Sequence, residues 1–96
     1  MTTDNIEAIG VNETGQLFIK PEKEQFILIW RSATEVHWND KEHYLFSPKP
    51  REWSYFDWYK QIVSVILDEY DCKLILTPHT IWLNIPDDFM QQIIEL

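Results

Sequence analysis

The stretch SYFDWYKQIVSVILDEY, Ser54 to Tyr70, decides the fold. Ser54 stands at an N-cap, Asp57 supplies the acidic half of a capping box, and Trp53 is placed to staple onto Trp58, so a helix opens here and runs to about Tyr70. Its polar residues, Asp57, Lys60, Gln61, Ser64, Asp68 and Asp71, recur at three- and four-residue spacing and form one narrow solvent stripe. Nearly every other position is apolar. A helix lying on one sheet buries a narrower stripe than this, so well over half of this helix asks for cover. The C-terminal helix, a long loop or a second copy of the chain are the available covers.

Outward from the helix the chain reads as strands. Ile6 to Val11 and Gln16 to Lys20 flank Asn12-Glu13-Thr14-Gly15, a turn with Gly15 in the left-handed region closing a bulged hairpin. Gly10 and Gly15 have the spacing of a phosphate-binding loop, but Gln16-Leu17 follows instead of Lys and Ser or Thr. Phe26 to Trp30 is an apolar run too short for a helix and is placed as a central strand. Thr34 to Trp38 and His43 to Phe46 form a second hairpin around Asn39 to Glu42, followed by the extended exit Ser47 to Arg51. Lys73 to Thr77 and Ile81 to Ile85 read as a third hairpin around Thr77-Pro78-His79-Thr80. Pro86-Asp87-Asp88 opens a short helix to Glu95. The expectation is one α+β domain over residues 1–96: a mainly antiparallel sheet of about seven strands from three hairpins and a central strand, with the long helix packed on it.

Composition narrows the function classes. The 96 residues carry a net charge of −8, which repels phosphate backbones and anionic lipid and excludes nucleic acid and membrane surfaces as expected partners. A basic protein partner suits that field. One cysteine, Cys72, allows no intrachain disulfide, and the N-terminus MTTDNIEAIG lacks the basic and apolar regions of a signal peptide, so a cytoplasmic protein is expected. The Asn12-Glu13-Thr14 glycosylation sequon is coincidental on that reading.

The chemistry-bearing residues do not converge. With a two- or four-residue loop, Trp38 pairs with His43 and His37 with Tyr44, so the two histidines point to opposite faces and cannot share a metal. They remain a candidate polar site. Cys72 and His79 sit at opposite ends of one strand, more than roughly 16 Å apart, too far for a catalytic dyad. Asp87 and Asp88 are sequence neighbours and do not face each other across a substrate. No catalytic residue, metal or cofactor is assigned.

Five tryptophans are more than so small a core can hold centrally, so some reach the surface, where Trp and Tyr dominate contact hot spots. With Trp53 assigned to the helix staple, Trp38 and Trp82 are the preferred contact residues. In size, acidity and aromatic content the chain resembles small accessory proteins of bacteria, among them toxin-neutralising immunity proteins and products of mobile gene cassettes. The leading expectation is a non-enzymatic binding module that acts through an aromatic surface on a protein partner and forms a homo-oligomer, a dimer. The alternative is a small-ligand protein or small enzyme, its pocket between helix and sheet lined by Trp38, Tyr44, Trp58 and Tyr59, with His37 or His43 as acid or base.

Overall fold

In the computed structural model of the chain, which describes Met1–Leu96, the sheet is assembled round its first strand. Strand β1 (Thr2–Val11) turns through Asn12–Gly15 into β2 (Leu17–Pro21). The Asn12 side-chain carbonyl accepts from the amides of Thr14 and Gln16 at 3.1 and 2.9 Å, and Gly15 takes φ +83°, where a side chain would be strained. The short strands β3 (His37–Asn39) and β4 (Tyr44–Phe46) extend the sheet beyond β2, all antiparallel.

The other edge of β1 is occupied differently. Strands β5 (Cys72–Ile75) and β6 (Ile81–Leu83) both run parallel to β1, one beside Thr2–Asn5 and the other beside Ala8–Gly10. They are successive halves of one interrupted edge strand, and residues 76–80 loop out between them. The α+β class stands, but the sheet is mixed and has six strands, where about seven, mainly antiparallel, were expected.

Two local differences account for this, and a third alters a register. The turn Thr77–Thr80 forms, with the Thr80 amide on the Thr77 carbonyl at 3.1 Å, but its arms pair with β1 instead of with each other. Turn residues specify a turn; the edge that the exiting chain joins is decided by tertiary partners. Phe26–Trp30 is not a strand. It enters a 3-10 turn at Ile29–Arg31 that buries Phe26, Ile29, Ala33 and Val36 and leaves Ile27, Leu28 and Trp30 exposed. The burial spacing is that of turns, and the central place in the sheet belongs to β1. In the second hairpin the register is Asn39 with Tyr44, Trp38 with Leu45 and His37 with Phe46, so His43 lies in the turn at φ +59° instead of opposite Trp38.

One face of the sheet carries the core. Helix α1 (Tyr55–Tyr70) buries Trp58, Tyr59, Ile62 and Ile66 against Ile6, Ile9, Leu17, Ile19, Leu45 and Leu74. The extra cover that its wide apolar face demands comes from two sides. Helix α2 (Asp87–Ile94) places Phe89 5.7 Å from Tyr55 and 6.4 Å from Tyr59, and the loop residue Phe26 meets Tyr70 edge-on at 5.1 Å. The opposite sheet face holds Phe18 stacked on Tyr44 at 4.7 Å, beside Phe46. Gly10 is required there, because a Cβ would lie 2.6 Å from the Phe18 ring and 2.7 Å from the Leu83 carbonyl oxygen. No helix is long and apolar enough to cross a membrane.

Two polar devices close the gaps. The buried Asp4 carboxylate accepts from the amides of Lys23 and Glu24 at 3.1 and 2.8 Å, fastening the loop that follows β2. Where β5 has ended and β6 has not begun, the buried Thr80 hydroxyl donates to the Ile6 carbonyl at 2.7 Å and accepts the Thr77 amide at 2.9 Å. It stands in for the missing strand. Thr80→Val keeps the shape and leaves both groups unpaired, so urea unfolding should show a loss of about 1–3 kcal/mol, most of it recovered by Thr80→Ser; an unchanged midpoint would remove the hydroxyl from the account.

The capping box of α1 is complete: the Ser54 amide donates to Asp57 at 3.0 Å and the Asp57 amide to the Ser54 hydroxyl at 3.2 Å. The Ser54 amide and then its hydroxyl, with Lys60 adding less, hold the Asp57 carboxyl below its ordinary 3.8. A carboxyl lowered on folding contributes stability that is present above the unfolded pKa and is lost as pH falls through the folded one. The thermal midpoint should therefore drop on acidification below the ordinary carboxylate range, and less steeply in Asp57→Asn. An equally steep acid limb in that variant would place the effect elsewhere.

Candidate functional site

The segment from Pro48 to Trp53 leaves β4 without regular structure, bends at Arg51, Glu52 and Trp53, and delivers the chain to the N-terminus of α1. That end is fastened to the first hairpin. The Tyr55 hydroxyl donates to the Gly15 carbonyl at 2.9 Å, and the Lys49 stem lies 3.2 Å from where a Gly15 Cβ would be. Trp53 closes the staple, its ring 4.8 Å from that of Trp58 at 52°. Trp58 is 8% exposed and belongs to the core, whereas Trp53, outside the helix, keeps 44% of its surface in solvent.

Two hollows adjoin at this ring. The larger, about 560 Å³, is lined by Trp53, Trp58 and Gln61 together with Thr34, Glu35, Lys49, Arg51 and Glu52. The smaller, about 470 Å³, is bounded by Trp53, Gln61, Asp57, Lys60 and Ser64. Trp53 and Gln61 line both, so the indole and the Gln61 side chain form the ridge where the hollows meet.

The charges around the ridge are mostly engaged. Arg51 Nη2 donates to both Glu35 carboxylate oxygens, at 3.2 and 3.5 Å. Lys60 lies 3.9 Å from Asp57 and 4.6 Å from the centre of the Phe56 ring. Glu52 and Lys49 make no ion pair. Glu35 holds φ +65°, an uncommon conformation for a residue with a side chain. Such exposed pairs contribute about 0–1 kcal/mol each and exchange partners readily.

The structure does not gather the residues singled out from sequence round one cavity. Trp58 lines the larger hollow. Tyr59 is in the core, where burial pushes its hydroxyl pKa up. Tyr44 lies on the opposite sheet face against Phe18. Trp38 is half-buried between Phe26 and His43, its Nε1–H enclosed without an acceptor, and Trp82 is half-buried on β6. His37 stacks near Phe46 at 5.6 Å while His43 meets Trp38 edge-on at 6.4 Å, so the pair is divided between two faces. No three His, Cys, Asp or Glu side chains are grouped as metal ligands. Cys72 is buried, and burial, then Asp4, Glu24 and Asp71, push its thiol pKa up, which keeps it protonated.

Trp53, Glu35, Arg51 and Lys49 are the site residues that sequence reasoning did not assemble. Two signals pointed to Trp53, Lys49 and Arg51: a staple residue lies outside its helix, and Lys49-Pro50-Arg51 is the local basic cluster next to it; nothing in the sequence pointed to Glu35.

The family model described as Integron Cassette Protein Hfx_Cass5 matches residues 4–80, which include every residue of both hollows. A solved structure described as "Structure from the mobile metagenome of North West Arm Sewage Outfall: Integron Cassette Protein Hfx_Cass5" is 38% identical, with 99% of this chain and 95% of that chain covered and a TM-score of 0.51. No curated protein matches the chain.

Proposed function

The chain belongs to the Integron Cassette Protein Hfx_Cass5 family, so it is the product of a mobile gene cassette, and on that premise we propose that it is a non-enzymatic binding module whose contact surface is centred on Trp53. The observation that carries this reading is the placement of that indole, 44% exposed on a ridge shared by two hollows. Contact hot spots are enriched in tryptophan and sit beside pockets that a partner can fill, and this indole borders two such hollows. The ionisable groups beside it are carboxylates and cations, most of them paired with one another, and no histidine enters either hollow. Such a place offers contact and stacking more readily than proton transfer near neutral pH.

A protein partner fits the ridge best, because two open hollows on either side of one ring suit a segment lying across it. The second reading is a small ligand, favoured by the size of the larger hollow, about 560 Å³, within the roughly 300–1,000 Å³ of ligand pockets.

Affinity capture from host lysate with stepped salt elution tests the module, with Trp53→Ala and Trp30→Ala as paired variants. Both rings are exposed, at 44% and 54%, so neither substitution should unfold the protein. A protein retained by the parent and by Trp30→Ala but lost with Trp53→Ala is the expected result. Loss with Trp30→Ala alone would move the surface to the Ile27–Trp30 loop. No retained protein, together with a thermal midpoint raised by a metabolite, would favour the small-ligand reading.

A further inference from the structure

We infer that the larger hollow receives an arginine side chain from a basic segment of the partner, with its guanidinium on the Trp53 indole and beside the carboxylates of Glu35 and Glu52; this rests on the binding-module reading and names the chemistry of the occupant. Three features carry it. First, the hollow offers what a guanidinium uses: an indole that is 44% exposed, a carboxylate with no ion-pair partner in Glu52, and a second in Glu35 that already accepts a guanidinium on both oxygens.

Second, the cation that now holds Glu35 is displaceable. Arg51 reaches it from solvent, with 72% of its side chain exposed, so an incoming guanidinium trades one weak surface pair for a pair plus an indole face. Arg51 is then a resident competitor, not a ligand-binding group. Third, the long-range field agrees: with a net charge of −8 the molecule draws cationic segments and repels acidic ones. The chain itself packs guanidinium on indole elsewhere, Arg31 lying 5.3 Å from the Trp30 ring centre. An acidic occupant would instead need Arg51 and Lys49 as its anchors and would approach against the field.

The two alternatives predict opposite effects of one substitution. The experiment follows the indole N–H signals of the five tryptophans in a proton–nitrogen correlation spectrum, with Trp53 assigned by its loss in Trp53→Phe. The probes are a blocked tri-arginine peptide, its uncharged tri-citrulline counterpart and a blocked tri-glutamate peptide. The Trp53 signal should move saturably with tri-arginine and not with the other two. The dissociation constant should rise about fivefold or more in the Glu35→Gln, Glu52→Gln double variant and fall in Arg51→Ala. The indole signals of Trp38 and Trp82, which line neither hollow, stay unmoved and certify that each variant is folded, whereas Trp58, 4.8 Å from Trp53 and in the same hollow, responds with it. Equal response to tri-citrulline, a response to tri-glutamate, weaker tri-arginine binding in Arg51→Ala, or no response to any probe would each overturn the inference. Trp53-dependent capture that persists alongside such a result would leave the module standing and remove only its arginine ligand; loss of that dependence would remove the module itself.

Discussion

Both edges of a ten-residue strand have to find hydrogen-bond partners, and the rest of this fold follows from how β1 meets that demand. One edge is met locally by β2 through a tight turn. The other has to wait for residues beyond α1, and because β5 enters parallel to β1, the chain must first cross over, which is the work of the helix. The helix thereby comes to lie on one sheet face with more apolar surface than the sheet can cover, and α2 and the Phe26 loop close over what remains. Asp4 and Thr80 serve the same strand from opposite edges, one fastening the loop after β2 and the other occupying the break between β5 and β6.

What could be read in the residues alone was what is encoded within a few positions of itself. The capping box at Ser54, the left-handed Gly15 turn and the short helix behind Pro86 each depend on local hydrogen bonds or on backbone preferences, and each is where the spacing places it. The pairing of β5 and β6 was not legible, because the Thr-Pro-His-Thr turn is compatible with either a hairpin or a looped-out interruption. The difference lies in an edge some seventy residues away in sequence, as the Thr80 to Ile6 contact spans 74 positions. The first residues of β1 were missed for a related reason: Thr2-Thr3-Asp4-Asn5 has no β-type alternation of apolar residues, and only the Cys72–Ile75 partner makes it a strand.

The candidate site shows the same division. Its helix end was legible, down to the contact of Trp53 with Trp58, but assigning Trp53 a structural task concealed that a staple residue can keep nearly half of its surface in solvent. Glu35 and Arg51 are sixteen residues apart and come together because the loop between the 3-10 turn and β3 lies beside the segment that runs from β4 to α1. The aromatic residues favoured from sequence went elsewhere for packing reasons: Tyr59 to the core, Tyr44 to the opposite sheet face, and Trp38 to the flank of Phe26. Aromatic content was a sound guide to the presence of exposed rings and a poor one to which of them.

The interrupted edge strand has a consequence in time. On a chain made from its N-terminus, the β1–β2 hairpin is available early, yet its outer edge stays open until residues 72–83 have been added. An uncovered strand edge invites pairing with another chain, and polar and charged side chains are the usual protection. The exposed Thr2, Thr3 and Glu7, with the charged Asp4 between them, buried once the fold is complete, make the first half of β1 a poor template for intermolecular pairing. The composition that hides this strand from pattern reading is thus what shields it while it waits, and the cost is high contact order, with slower closure of the sheet than a chain of local hairpins would need.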